Sequence, residues 1–253
     1  SNASEFKIGD HVGSMLGWRE QYVSRAAGLM KVDAGLAPLP AYLGVLGMPG
    51  LTAYVGLLKI AGVKSGETVF VSGAAGAVGA VVCQIAKANG ALVVGSAGSD
   101  EKCHWLKEVA KVDQAINYKT AGNITAALKA AAPKGIDVYF ENVGGAHLEA
   151  ALECAKPFAR IAVCGMISQY NAMQLLPGPM TFVYIIPKRL RIEGFIVSDH
   201  FDMMPAFFAD MGNWIKAGKV KWQETIVEGI ERAPDAFLGL FRGDNNGKMV
   251  VRL

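Results

Sequence analysis

Between residues 67 and 164 the chain alternates short apolar runs with longer segments whose apolar positions recur at helical spacing. Thr68-Val69-Phe70-Val71-Ser72 is β-rich, and further strands are predicted over 92–97, 114–117 and 136–141. Helices are predicted over about 76–89, from an Asp100 N-cap to about 110, over 122–132 ending near Pro133, and over 145–153. Strands over 159–164 and 190–197 complete the series. The rhythm is that of βαβ units. It predicts an α/β fold with a doubly wound parallel sheet and right-handed crossovers. Apolar runs that do not alternate suit strands covered on both faces.

The flanks read differently. Residues 8–12 and 17–23 look like two short antiparallel strands, and 31–50, with Pro38, Pro40 and Pro49, is mostly connector. A helix over about 51–62 is capped by Gly62. At the far end come a helix over 204–217 closed by Gly218, a strand near 224–228, a short helix over 234–242 and a last strand over 248–253. No internal repeat exists beyond the βαβ rhythm.

Composition narrows the class. The 253 residues are 52% hydrophobic and 19% charged with 10 Pro, which excludes disorder and low-complexity sequence. Four Cys exclude a disulfide scaffold. A net charge of +3, with Lys188-Arg189-Leu190-Arg191 as the longest cationic cluster, does not imply nucleic acid. Mean hydropathy is +0.28, and three uncharged stretches cover 34–58, 68–86 and 161–187. Pro and Gly break the first and third, and a Gly-rich turn divides the second. They read as buried strands and helices, not as spans of about 20 apolar residues. Ser1-Asn2-Ala3 looks like a protease-cleavage remnant. The remaining sequence then begins inside what reads as a strand, so an upstream segment is expected to be missing.

The sharpest chemical signal is Gly73-Ala74-Ala75-Gly76-Ala77-Val78-Gly79, between a strand and a helix of a βαβ unit. Small residues let the backbone approach a pyrophosphate, and the helix N-terminus offers unpaired N–H groups with a positive dipole end. No Gly-Lys-Ser/Thr follows, so a P-loop is excluded. The second strand ends Ser96-Ala97-Gly98-Ser99 with no acid at its tip, where an NAD site usually places one for the ribose 2′-hydroxyl. Ser99 and Lys102 favour a 2′-phosphate, hence NADP, and Asp100 is expected to cap the helix.

With these residues in view the chain resembles the zinc-independent medium-chain dehydrogenase/reductases, and within them the NADPH double-bond reductases of the 2-alkenal, prostaglandin and curcumin reductase kind. The resemblance covers nearly all of 6–253. It is carried by Ile8-Gly9-Asp10 with Gly17-Trp18, Met48-Pro49-Gly50-Leu51-Thr52-Ala53-Tyr54, Gly73 to Gly79, and Ala97-Gly98-Ser99-Asp100-Glu101-Lys102. Asn117-Tyr118-Lys119, Phe140-Glu141-Asn142-Val143-Gly144-Gly145, Cys164-Gly165-Met166-Ile167-Ser168, Gly194-Phe195 and Asn245-Asn246-Gly247-Lys248-Met249-Val250 complete it. Each motif alone is weak and together they are specific.

The resemblance implies a Rossmann sheet plus the remnant of a GroES-like β-rich catalytic domain. Residues 50–221 would bind NADP(H), with 1–49 and 222–253 from the catalytic domain. Ala75, Gly76, Ala77 and Val78 would lie on the pyrophosphate. Gly98, Ser99, Lys102 and Tyr118 would surround the 2′-phosphate. Asn142 and Cys164 would line the path to the nicotinamide half, Phe195 and Val197 would contact it through backbone, and Asn245 would close over the cofactor. Tyr170 matches the family's tyrosine near the nicotinamide. A phenol there can donate to a substrate carbonyl as enolate charge develops, which stabilises the transition state more than the ground state.

Zinc relatives carry a ligand Cys where this chain has Met48-Pro49, and Cys83, Cys103, Cys154 and Cys164 lack close ligand spacing, so no metal is expected. The implied activity is NADPH-dependent reduction of the C=C bond of α,β-unsaturated aldehydes or ketones. Alternatives are an NADPH:quinone oxidoreductase of the same superfamily and an NADP-binding regulatory protein without turnover. A cytoplasmic homodimer paired through the strand at 190–197 is expected, with no nucleic-acid or membrane partner. A substrate pocket open on one side is also expected, so that this chain binds NADPH but turns over poorly.

Overall fold

The computed structural model describes residues 3–174 and 177–253. Ser1 and Asn2 of the expected remnant, and Leu175 and Leu176 of the third apolar stretch, lie outside the described residues. In chain order the elements are β1 (Val12–Gly13), β2 (Met30–Lys31), α1 (Met48–Tyr54), β3 (Thr68–Val71), α2 (Gly79–Ala88), β4 (Leu92–Ala97) and α3 (Asp100–Glu108). There follow β5 (Gln114–Asn117), α4 (Ile124–Ala131), β6 (Ile136–Glu141), α5 (Ala146–Cys154), β7 (Ala155–Val163), α6 (Ile185–Lys188) and β8 (Arg191–Gly194). The last are α7 (Met204–Lys216), β9 (Glu224–Glu228), α8 (Ala233–Arg242) and β10 (Lys248–Arg252).

Six strands form one parallel sheet in the order β5-β4-β3-β6-β7-β8. The order reverses between β3 and β6, so the C-terminal ends of these two strands open a crevice, the usual ligand position in a doubly wound sheet. Side chains alternate across the sheet. Val69, Val71, Val93, Val138 and Phe140 pack with Leu51, Leu57, Ile85 and Phe207 on one face. Phe70, Val94, Ile116 and Tyr139 pack with Leu128, Leu148 and Leu152 on the other. Burial on both faces is why these strands read as continuous apolar runs. Among the described residues no helix is long and apolar enough to cross a membrane.

Several boundaries differ from the sequence reading. Residues 17–23 form no strand; the antiparallel partner of Val12–Gly13 is Met30–Lys31. Trp18, Tyr22 and Val23 suit a strand by residue type, but three consecutive polar residues, Arg19-Glu20-Gln21, separate them and no apolar face repeats at strand spacing. The helix expected over 51–62 begins at Met48 and widens into a π-turn over Val55–Ile60, and Gly62 follows at φ +58°. The helix after the glycine turn starts at Gly79, not 76, because residues 73–78 are spent on the turn itself. β7 begins at Ala155 and not at 159, with an irregular register against β6. β8 spans only Arg191–Gly194, inside the predicted 190–197. β9 and β10 pair in parallel with each other as a separate two-stranded sheet. Gln84, buried on α2, anchors that unit by exchanging hydrogen bonds with the backbone of Lys221, both at 2.8 Å.

Candidate active site

The glycine turn leaves the end of β3 and enters α2. A Cβ on Gly79 would stand 2.3 Å from the Gly73 carbonyl oxygen and 2.8 Å from Ala74 Cα, so only glycine lets the helix pack this close to the turn. Ala75 is buried, while Gly76, Ala77 and Val78 are half-buried at the rim. The N–H groups of Ala77 and Val78 make no hydrogen bond within the described residues. They stand at the positive end of the α2 dipole and can accept an anion. The Gly247 N–H donates to the Ala75 carbonyl at 2.9 Å, which lays the C-terminal segment beside the turn. Asn245 sits in that segment with its Nδ2 donating to the Gly247 carbonyl at 2.7 Å.

At the next strand tip Ser99, not Asp100, caps α3: its Oγ accepts the Lys102 N–H at 3.3 Å. Asp100 is the first residue of the helix, and its Oδ1 accepts from Asn117 Nδ2 at 2.7 Å. A serine oxygen reaches the third residue of a helix as well as an aspartate does, so the sequence allowed either assignment. Lys102 Nζ donates to the Gly243 carbonyl at 2.6 Å, across to the C-terminal segment. Burial first, and then the charge of Lys119, push its ammonium down from the usual lysine range. Tyr118 lies over Gly98: a Cβ there would meet Tyr118 Oη at 2.8 Å and Lys119 Cε at 3.3 Å. Its ring meets His147 edge-on, with centroids 5.1 Å apart.

The crevice floor is a buried polar network that the sequence reading did not assign. Glu141 Oε1 accepts from Ser72 Oγ at 3.0 Å, Val143 N–H at 2.6 Å and Gly144 N–H at 2.8 Å. Ser72 Oγ in turn accepts from Tyr139 Oη at 3.0 Å and the Asn142 N–H at 2.9 Å. Burial pushes the Glu141 carboxyl above the ordinary carboxylate range, against the lowering effect of these donors. The available signal was an acid closing an apolar strand, a residue type rarely buried unless paired. Asn142 Nδ2 satisfies the Ser72 carbonyl at 2.7 Å. The half-buried Cys164 donates its N–H to the Glu141 carbonyl at 2.9 Å, and burial, then Glu141, push its thiol up to about 12.

Tyr170 follows the short turn after β7. Its Oη accepts the Met166 N–H at 3.1 Å, and a Cβ on Gly165 would lie 2.7 Å from Oη and 3.7 Å from the Asn142 carbonyl. The phenol is thus folded back to the crevice edge, and the residue is 61% exposed. Its oxygen is already an acceptor, so the O–H remains available to donate. Phe195 and Val197 lie just beyond β8, half-buried, with the Phe195 ring edge-on to Phe140 at 6.3 Å. The structure therefore gathers Ala75 to Val78 with Asn245, and separately Gly98, Ser99, Lys102 and Tyr118. Asn142, Cys164 and Tyr170 flank the crevice, and Phe195 and Val197 follow the end of β8.

Known proteins are similar to this chain in sequence and fold. The family described as zinc-binding dehydrogenase matches residues 77–213. A putative NADP-dependent oxidoreductase of Bacillus subtilis (strain 168) is 51% identical over 255 residues, covering 100% of this chain and 75% of that protein. A 2-alkenal reductase (NADP(+)-dependent) of Nicotiana tabacum is 48% identical over 252 residues, covering 99% of this chain and 73% of its own. The crystal structure of CurA in complex with NADPH from Vibrio vulnificus superposes with a TM-score of 0.92 at 42% identity, covering 100% of this chain and 76% of that one. The first of these descriptions names zinc. Among the described residues no three His, Cys, Asp or Glu side chains gather as a metal site, and the four cysteines are separate free thiols, so the side chains present do not fit that ion.

Proposed function

The chain belongs to the zinc-binding dehydrogenase family of the medium-chain dehydrogenase/reductase superfamily, and we propose that it reduces the activated C=C bond of α,β-unsaturated aldehydes and ketones with NADPH. The observation that carries the reading is Tyr170, whose phenol oxygen accepts from Met166 and keeps its proton free at the crevice edge. Relatives named as 2-alkenal, prostaglandin and curcumin reductases support the same chemistry.

The residues present fit the cofactor. The free N–H groups of Ala77 and Val78, beside Ala75 and Gly76, would take the pyrophosphate. Gly98, Ser99, Lys102 and Tyr118 would surround the 2′-phosphate. Asn142, Cys164, Phe195 and Val197 would hold the nicotinamide half, with Asn245 beside the turn. When bound, NADPH supplies a hydride. Tyr170 would donate to the carbonyl oxygen of the substrate, where negative charge grows as the β-carbon is reduced. A donor already oriented stabilises that charge without reorganising. Residues 50–221 serve as the cofactor domain, and 1–49 with 222–253 as parts of the catalytic domain.

The strand β8 ends the sheet, and Phe182, Val183, Ile186 and Ile196 near it are exposed. This supports a homodimer through that edge, testable by light scattering, where a monomer at all concentrations would oppose it. The activity is tested by following NADPH oxidation with panels of enals, enones and quinones. Consumption with enals and enones supports the reading. Faster turnover of quinones, or binding without any turnover, overturns it.

A further inference from the structure

We propose that Lys119 is a second cation for the cofactor's 2′-phosphate and sets the choice of NADPH over NADH, while Lys102 also holds the C-terminal segment against the nucleotide domain. The inference rests on the cofactor reading above.

The tip of β4 is covered from one side by the loop after β5. The Cβ position of Gly98 lies 2.8 Å from Tyr118 Oη and 3.3 Å from Lys119 Cε, so both side chains converge on one spot. Asn117 fixes that loop: its Oδ1 accepts the Lys119 N–H at 3.1 Å while its Nδ2 holds Asp100 at 2.7 Å. Lys102, one turn into α3, faces the same tip, but its ammonium already donates to Gly243. Lys119 Nζ makes no hydrogen bond or ion pair among the described residues.

The acids nearby each have a hydrogen-bond or ion-pair partner of their own, although Asp244 and Glu101 also act in favour of the Lys102 ammonium. Asp100 is bound by Asn117, Glu101 accepts from Asn246 Nδ2 at 3.3 Å, and Asp244 pairs with Arg242 at 2.8 Å. Lys102 and Lys119 are close enough to repel, which contributes to the lowered Lys102 ammonium after the effect of burial. A phosphate monoester, carrying close to two negative charges at neutral pH, relieves that repulsion and gains a charge-assisted contact from each lysine. A ribose 2′-hydroxyl relieves nothing. Lys119 is the freer of the two cations, since its ammonium has no other partner among the described residues, whereas one Lys102 N–H is held by Gly243. Lys102 is tied to Gly243, four residues before the Gly247 that bonds to Ala75. Its loss loosens the segment beside the pyrophosphate for either cofactor.

The test titrates the 253-residue protein with NADPH, NADH, adenosine 2′-monophosphate and adenosine 5′-monophosphate. Lys119→Ala and Lys119→Gln are expected to weaken NADPH and adenosine 2′-monophosphate about ten-fold, leaving NADH and adenosine 5′-monophosphate within about two-fold. Lys119→Arg restores most of the loss. Lys102→Ala weakens NADH as well as NADPH. Because Lys119 is exposed, the thermal midpoints of its variants should match wild type. Unchanged NADPH affinity in the Lys119 variants, or an equal loss of NADPH and NADH, overturns the proposal. Wild type that binds NADPH no better than NADH defeats the cofactor reading itself, an outcome visible before any variant is made.

Discussion

Ser72 Oγ and Glu141 Oε1 lie 3.0 Å apart and join the C-terminal ends of β3 and β6 beneath the crevice, where both residues are fully buried. Ser72 serves three partners at once, since it also accepts from Tyr139 Oη and the Asn142 N–H. Ser72→Ala strands the Tyr139 hydroxyl and the Asn142 amide. A stability loss of about 2 kcal/mol is expected from buried donors left without acceptors. Urea unfolding measures it, and a loss no larger than that of a surface substitution would contradict the network's role.

His147 gives the protein an acid-sensitive core. It is buried against Phe70 and Tyr118, its Nε2 has no hydrogen-bond partner, and burial pushes its imidazole down to about 4 from 6.5. The unfolded chain therefore binds a proton that the folded chain refuses between these two values. The stability it contributes is complete above about pH 6.5 and is lost as pH falls toward 4, by at most about 3 kcal/mol. His147→Phe should flatten the pH dependence of the urea midpoint in this window. A variant that tracks wild type throughout would show that other groups govern acid unfolding.

Tyr170→Phe removes the proposed donor and little packing, since the residue is 61% exposed and the ring is kept. Turnover with an enone is expected to fall about 100-fold, the usual cost of one oxyanion donor. NADPH affinity should stay near wild type. Equal turnover removes Tyr170 from the chemistry.

Gly98→Ala puts a methyl 2.8 Å from Tyr118 Oη and 3.3 Å from Lys119 Cε. Both are ends of exposed side chains and can swing away, so stability should change by less than about 1 kcal/mol. The displaced phenol and ammonium should nevertheless weaken NADPH more than NADH in parallel titrations. A variant that is strongly unfolded, or that binds both cofactors like wild type, would mean that Gly98 does not shape this subsite.

Much of the fold was legible because its causes are local. The apolar runs at β3, β4 and β6 and the helical spacing between them follow from burial on two faces, and Gly73 to Gly79 follows from the steric demands of a turn packed on a helix. The short flanking segments were less legible. Val12–Gly13 and Met30–Lys31 make a two-residue pairing that no propensity announces, and residues 17–23 hold strand-type Trp18, Tyr22 and Val23 without forming a strand. Ser99 and Asp100 are both competent caps, and only the backbone geometry at the end of β4 selected Ser99.

The sequence by itself determined the class of fold, the glycine-rich turn and the lack of an acid at the tip of β4, since each depends on residue type over a few positions. The tertiary structure decided the partners. Glu141 meets Ser72 from 69 positions away, and Lys102 meets Gly243 from 141. Neither spacing carries a periodic signal, because the contacts arise from strand order and from the return of the C-terminal segment. Which lysine remains free to meet a phosphate is decided by those contacts, since an ammonium's availability depends on what already surrounds it.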